Sequence, residues 1–292
     1  MNKATAFAPA HISGFFQPVT ESDNISKVGS RGAGVSIDHG AHAFVELKKS
    51  SKQQIAIRVN EKKGIFPVTL EALKRIVGED KVDINVNISL DLPTSHGFGM
   101  SAASALSSSL AVAYLLEKER EEAIEAAHYA EILHHTGLGD VISSAMGGFE
   151  IREKPGIFPY AKIHKISEKR SILLAILSGE MSTKSVLTDI NRMNHISKIG
   201  KYCTDQVMNS PTIDSIMNYS YYFTIESKLA SKKMVQLLNN IKNYYHASMC
   251  MLGHSIFIIG TREEITRDIN MPCSMIETMV DNKGARLVDS TK

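Results

Sequence analysis

The chain has 292 residues, of which 43% are hydrophobic and 22% charged, a composition typical of a folded globular protein with room for two modest cores. Its 33 basic and 31 acidic residues are interspersed and give a net charge of +2, which argues against a nucleic-acid binder and favours small partners. The three cysteines are far apart, with no C-x-x-C pair, so we expect neither a disulfide framework nor a zinc site, and a cytoplasmic location. No signal peptide and no run of about 18 apolar residues occurs, so we predict no membrane association.

The predicted elements mix strands and helices, so we expect an α+β fold without internal repeats. Residues 82–90 alternate apolar and polar side chains, the period of a strand with one buried face. A Lys-Pro-Gly turn at 154–156 ends the first half, and we predict domains at 1–160 and 161–292. In chain order we predict strands at 44–47, 55–59 and 82–90, helices at 101–117 and 119–135, strands at 149–152 and 172–177, helical segments within 189–217 and 225–245, and two strands around Gly253 within 248–259.

Residues 92–103 bring two glycines and several small hydroxyl residues to the start of a predicted helix. Free amides and the positive end of the helix dipole favour an anion there, and glycine lets its oxygens approach the backbone. An ordinary turn and a dinucleotide fingerprint, Gly97-x-Gly99-x-x-Ala102, are the alternatives. The dinucleotide fold needs a preceding strand that is buried on both faces, whereas residues 82–90 alternate. The common P-loop motif does not occur in the sequence, and we favour a different phosphate-binding loop.

Candidate chemical groups follow on the second helix and just beyond it. His128, Glu131 and His135 share one helix face, and the chain then turns through glycines to Asp140. One interpretation is a solvated face with Asp140 capping the next helix, and another is a transition-metal site with the two histidines. A phosphate loop nearby favours a third, in which Glu131, Asp140 and the Ser101 hydroxyl supply ligands for Mg²⁺ and a carboxylate that accepts a hydroxyl proton.

The loop from Pro93 to Ala102 resembles the signature of the GHMP kinase superfamily, Pro-x-x-x-Gly-(Leu or Phe)-Gly-x-Ser-Ala. Five further segments narrow the resemblance to the superfamily members that act on pantoate: 8–16, 29–34, 136–140, 147–152 and 249–259. The resemblance implies a first domain like the second domain of ribosomal protein S5 and a ferredoxin-like second domain, with ATP, Mg²⁺ and the acceptor between them. A homodimer is plausible by analogy.

The resemblance also implies roles for individual residues. The implied site consists of Ser101 and Glu131 for Mg²⁺, Asp140 as the base, Pro93, Gly97, Phe98, Gly99, Met100, Ser101, Ala102 and Ala103 for ATP, and Ser30, His128 and Arg152 for the acceptor. The guanidinium of Arg152 suits a carboxylate because its fork binds two oxygens at once, although it is also compatible with an ordinary surface cation. Ser30 stands among glycines and equally fits a simple turn.

The implied activity is ATP-dependent phosphorylation of (R)-pantoate at its primary hydroxyl, giving 4-phosphopantoate for coenzyme A synthesis. Homoserine, mevalonate or a sugar as acceptor is the alternative within the superfamily. A non-catalytic sensor is disfavoured because both Glu131 and Asp140 are present. Two departures leave points open: His11 stands where many members have lysine near the base, and the third motif, 251–255, keeps only Gly253.

Overall fold

Two β-sheets form the framework of the protein in the computed structural model, which describes residues 2–177, 186, 188–243, 246–266 and 273–291. The strands are β1 Asn2–Val19, β2 Gly29–Lys49, β3 Gln54–Val59, β4 Lys62–Lys63, β5 Val82–Leu90, β6 Phe149–Lys154, β7 Lys162–Ile166, β8 Ser171–Ile176, β9 Ala247–Met249, β10 Ser255–Ile259, β11 Ser274–Met279 and β12 Arg286–Thr291. The helices are α1 Pro67–Val77, α2 Met100–Leu115, α3 Arg120–His134, α4 Asp140–Met146, α5 Ile190–Asn209, α6 Ile213–Glu226, α7 Lys232–Ile241 and α8 Arg262–Ile265.

The larger sheet has the order β12-β1-β2-β5-β3-β4, with β6 paired to β2 and β7 to β6. All its pairs are antiparallel except β3 with β5, which α1 connects as a crossover. Strand β2 is long enough to pair with β5 along one half and with β6 along the other. The smaller sheet is antiparallel, in the order β11-β8-β10-β9.

Helix α2 lies against β1 and β2, with α1 and α3 beside it. It is buried on nearly all sides, which explains its richness in alanine and serine, since small side chains let the backbone approach the sheet closely. The hydroxyls of Ser104 and Ser107 donate back to carbonyl oxygens one turn earlier, so these polar groups are satisfied inside the core. The position of α2 fixes the loop that precedes it.

Strand β1 contributes to both halves of the molecule. Its N-terminal part pairs with β12 and with β2, and its later part packs against α5 and α6. A Cβ on Gly200 of α5 would lie 2.0 Å from the carbonyl oxygen of Phe16, and one on Gly14 would lie 2.0 Å from the Ser220 hydroxyl of α6. Glycine at these two positions therefore permits the close contact between β1 and the helices of the second half.

The structure confirms the mixed α and β content and the strands at 55–59 and 82–90, the latter alternating in burial as predicted. Helix α3 begins after a capping box at Glu119 and ends at a left-handed His135, close to the prediction. The helical pattern in 189–217 proves to contain α5 and the start of α6, separated around Pro211. Residues 244 and 245 of the predicted segment 225–245 lie outside the described residues.

The sequence did not predict β1, most of β2, α1, or the shorter elements β4, β7, α8, β11 and β12. The domain limits 1–160 and 161–292 stay predictions. Two strands beyond residue 160, β7 and β12, pair within the larger sheet. No helix in the described ranges has both the length and the apolar character needed to span a bilayer.

Candidate active site

A cavity of about 680 Å³ lies between the start of α1, the loop before α2, and the turn between α3 and α4. One part of its wall is apolar and comes from β3, α1 and β5, with Val59, Phe66, Pro67, Val68 and Leu90. Another part comes from β1, β2 and the α3–α4 turn, with Ser13, Phe16, Ser30, Leu138 and Gly139. The glycine loop, Ser101, Glu131 and Asp140 also line the cavity.

The glycine loop takes its shape from Gly97 and Gly99, which have φ angles of 84° and 62°. Gly99 is the N-cap residue of α2, and no side chain caps this helix within the described chain, so its first amides face the cavity unpaired with any cap. The backbone N–H of His11 donates to the carbonyl of Phe98 at 3.2 Å. This bond ties the loop to β1, and the amides at the start of α2 are the backbone donors that suit an anion.

The third-motif segment packs directly on the glycine loop. A Cβ on Gly253 would lie 2.0 Å from the carbonyl of His96, and one on Gly97 would lie 2.6 Å from the carbonyl of Cys250. The Ser255 hydroxyl donates to the same His96 carbonyl at 2.6 Å. The single glycine kept in this motif is therefore the residue that allows the two loops to touch.

Glu131 is buried and accepts two hydroxyl hydrogen bonds on Oε1, from Ser101 at 2.6 Å and from Thr136 at 2.8 Å. Burial raises the pKa of Glu131 to about 7, and the nearby charge of Asp140 acts in the same direction. No lysine, arginine or histidine among the described residues forms an ion pair with it. The site thus holds a carboxylate without a protein cation, which a bound cation would stabilise in its ionised form.

Asp140 lies beside both Glu131 and the glycine loop. A Cβ on Gly137 would lie 2.1 Å from Oε2 of Glu131 and 2.9 Å from Oδ2 of Asp140, so the two carboxylates flank one point. A Cβ on Gly99 would lie 3.5 Å from the Cβ of Asp140. The glycine loop and the candidate base therefore lie side by side, an arrangement that in-line transfer requires.

His11 binds Asp140 on the side away from Gly137, with its Nδ1 2.7 Å from Oδ1. Burial alone would raise the pKa of Asp140, but the hydrogen bond and charge of His11, together with the charge of Arg152, outweigh it and lower that pKa. The Nε2 of His11 lies 2.9 Å from Oε1 of Glu150. Burial would lower the pKa of His11, yet the carboxylates of Glu150 and Asp140 raise it overall.

Arg152 is buried behind the cavity wall, with 1% of its surface exposed. Its Nη1 pairs with Glu150 and donates to Ser143 at 3.0 Å, while its Nε is buried without a partner among the described residues. A Cβ on Gly139 would lie 2.8 Å from this Nε and 2.6 Å from the Ser30 hydroxyl. The structure therefore brings Ser30 and Arg152 together at Gly139, next to Asp140.

His128 lies apart from the other predicted residues. Its ring is buried, and Nε2 donates to the carbonyl of Ile25 at 3.1 Å. Burial lowers the pKa of His128, so the ring is neutral at pH 7. It holds the short 3-10 helix Ile25–Lys27, which leads into β2 and Ser30. In the described part of the chain neither His128 nor Arg152 lines the cavity.

Two residues of the site were missed by the sequence reasoning: the role of His11 was left open, and Glu150 was not considered. A signal for Glu150 exists in the sequence, because Glu150 and Arg152 are charged residues two apart on a strand of otherwise apolar character. Such a pair projects to one face of the strand. The first four residues of β6 are all buried, so Glu150 and Arg152 form a charged face inside the protein.

Residues 64–148 match the family model of the GHMP kinases N terminal domain. This match and the fold define the chain as a GHMP kinase, which confirms the predicted fold class. The chain is 32% identical over 264 residues to a pantoate kinase of Methanocaldococcus jannaschii, covering 89% of this chain and 93% of the relative. It is 32% identical over 271 residues to a pantoate kinase of Methanospirillum hungatei, with 90% of each covered. The chain belongs to the pantoate kinase family.

A solved structure supports the same assignment over the whole fold. It is described as a phosphotransferase related to the CoA biosynthesis pathway, and it aligns over 99% of both chains with a TM-score of 0.88 and 25% identity. The similarity extends across both sheets, and is not confined to the glycine loop and its helix.

Proposed function

We propose that the protein transfers the γ-phosphoryl group of ATP to the primary hydroxyl of (R)-pantoate, giving 4-phosphopantoate and ADP. The observation that carries the proposal is the proximity of the glycine loop to Asp140 at Gly99. It supports the proposal because a helix N-terminus suited to phosphate and a carboxylate would both reach one acceptor hydroxyl. Phosphoryl transfer requires mainly such positioning and charge neutralisation, with little covalent chemistry by the protein.

The nucleotide fits the cavity in one direction. Its triphosphate would lie on the backbone amides of the glycine loop and the start of α2, where Pro93, Gly97, Phe98, Gly99 and Met100 line the wall. The base would then lie in the apolar part formed by β3, α1 and β5. Stacking and burial of a purine suit such a wall, which offers flat apolar surface.

Mg²⁺ fits the donor set on one side of this loop. Ser101 and Glu131 offer a hydroxyl and a carboxylate already linked at 2.6 Å, and Mg²⁺ in kinases is typically held by one or two carboxylates and the substrate phosphates. When bound, the ion would neutralise charge on the phosphates. The buried Glu131, which has no cationic partner in the described chain, would hold it.

The acceptor would occupy the other end of the cavity, between β1 and the α3–α4 turn. Oδ1 of Asp140 is held by His11, so Oδ2 is the oxygen available to the acceptor hydroxyl. The Ser30 hydroxyl lines the cavity, and the unpartnered Nε of Arg152 lies directly behind Gly139, where a side chain would collide with both groups. We assign them to the carboxylate of pantoate, because a buried donor without a partner is costly unless a ligand satisfies it.

His128 acts on the acceptor end in an indirect way. Its hydrogen bond to Ile25 fixes the segment that carries Ser30. The resemblance predicts a role for His128 in acceptor binding, and this connection supplies one without direct contact. A homodimer and a cytoplasmic location stay predictions from the sequence.

The test is a product assay by mass spectrometry with ATP, magnesium and an equimolar mixture of pantoate, homoserine, mevalonate and a hexose. Pantoate should be the acceptor consumed, with one phosphoryl group added and ADP released. Preferential phosphorylation of another acceptor would overturn the substrate assignment. ATP binding without ADP release in the presence of any acceptor would overturn the assignment as a kinase.

A further inference from the structure

The His11 side chain lies between two carboxylates inside the protein. Its Nδ1 is 2.7 Å from Oδ1 of Asp140 and its Nε2 is 2.9 Å from Oε1 of Glu150, and the side chains of His11 and Glu150 are fully buried. Glycine at position 34 of β2 makes room for the ring, since a Cβ there would lie 2.5 Å from Nε2. The ring is thus confined from both ends and from one face.

This geometry fixes the protonation of the ring. An ionised carboxylate only accepts hydrogen bonds, so a ring nitrogen that faces one at this distance must carry a hydrogen. Only the imidazolium has a hydrogen on both nitrogens. In a neutral ring with its hydrogen on Nδ1, the Nε2 lone pair would point at Oε1 of Glu150, 2.9 Å away, which is closer than Nη1 of Arg152 at 3.5 Å. The charged ring has attraction to that oxygen where the neutral ring has repulsion.

Both carboxylates accept hydrogen bonds from charged or polar donors in this arrangement. Glu150 pairs with Arg152 through the same Oε1 that faces His11 and also accepts from Ser143 at 3.1 Å. Asp140 has a lowered pKa. The charges therefore alternate along the chain Asp140, His11, Glu150, Arg152, and they sum to zero. A buried charge network of this kind is stable when each member is paired.

We propose that His11 is a positioning residue that Glu150 keeps protonated through neutral pH, and that it holds Asp140 ionised with Oδ2 turned toward the acceptor hydroxyl. The inference rests on the proposed kinase function for the acceptor and adds two residues to its machinery. The ring has no free lone pair for a proton from the acceptor, so that proton passes to Oδ2 of Asp140. The groups that face His11 and set its charge are Asp140 of α4 with Glu150 and Arg152 of β6.

The decisive variant is Glu150→Gln, which removes one of the two negative partners and keeps the side-chain size. With a neutral partner at Nε2, the ring should lose its proton at lower pH than in the native protein. With rising pH, kcat with pantoate should therefore begin to fall at a lower pH in the variant than in the native protein. ATP affinity should stay unchanged, since neither Glu150 nor His11 lines the cavity.

A second variant tests the charge directly. His11→Asn removes the cation and leaves a donor near Asp140, and should lower kcat about 10- to 100-fold with little change in KM for ATP. His164→Asn is the matched control. His164 also pairs with a carboxylate, since its Nε2 is 2.6 Å from Oε2 of Glu153, but this pair is partly exposed and neither residue lines the cavity. This control should behave as the native protein.

The charge state itself is measured by ¹⁵N NMR of the histidine rings in the full-length native protein, without substrate. Both ring nitrogens of His11 should keep imidazolium shifts at pH values above the ordinary histidine pKa of about 6.5. Titration of His11 near that ordinary value, or a Glu150→Gln profile that coincides with the native one, overturns the proposal. If native protein turns over no pantoate, the proposed function fails, while the NMR titration still decides whether His11 is the permanent cation.

Discussion

Replacing Asp140 with asparagine tests the proposed reaction most directly. The amide keeps the shape and still offers an oxygen to the Nδ1 hydrogen of His11, now 2.7 Å from the carboxylate, but it cannot take a proton. A positioned base contributes about 10² to 10⁴ in rate, which corresponds to about 3 to 5 kcal/mol of activation free energy. We expect kcat to fall by this factor, with the fold intact.

ATP binding should be preserved in the same variant. Asp140 lies next to Glu131 and close to where the phosphates would bind, so losing its negative charge removes repulsion and leaves the affinity for ATP equal or higher. The assay is steady-state kinetics with pantoate together with ATP binding by calorimetry. Asp83→Asn is the matched control, since Asp83 is similarly exposed, at 22% against 23%, and forms an ion pair with Lys48 at 3.0 Å. A kcat within tenfold of native would refute the role of Asp140 as base.

Three further predictions follow from the same geometry. Gly137→Ala places a methyl group 2.1 Å from Oε2 of Glu131 and should lower kcat about 100-fold or more; native kinetics would show that these carboxylates are not needed in this arrangement. Glu131→Gln should raise the magnesium concentration for half-maximal rate at least tenfold, measured by magnesium titration at saturating ATP; an unchanged requirement would exclude Glu131 as a ligand. Because the pKa of His11 is raised in the folded protein, the charged ring stabilises the fold fully below pH about 6.5, and this stabilisation is lost as pH rises through the folded-state pKa. The free energies of urea unfolding of the native protein and of His11→Asn should therefore converge at high pH. A difference that stays constant with pH would contradict this prediction.

The place of the glycine loop between a strand and a helix was predictable because its signal is local. A strand of alternating burial, two glycines and a helix of small residues follow one another without interruption, and the structure has them as β5, the loop and α2. The carboxylates of Glu131 and Asp140 were predictable for a similar reason, since a single turn containing Gly137 joins them. Each of these features is specified within a few residues of the chain.

The charged network could not be predicted in the same way. His11 is 129 residues from Asp140 and 139 from Glu150 along the chain, and no local pattern indicates which distant side chains meet. The β1–β2 hairpin was hard to recognise because it is rich in alanine and glycine, which are poor strand formers in isolation. Its stability comes from the helices packed on it, which is a tertiary effect.

The sharing of β1 between the two halves has a mechanical consequence. A strand clamped along one edge by hydrogen bonds and along another by close glycine contacts with α5 and α6 cannot slide without disturbing both partners. That strand carries His11, Ser13 and Phe16. The proposed acceptor end of the cavity is therefore kept rigid by packing far from the reacting atoms. A mutation that changes the packing of α5 or α6 would therefore lower catalytic activity, as would a change to a residue that contacts the substrate.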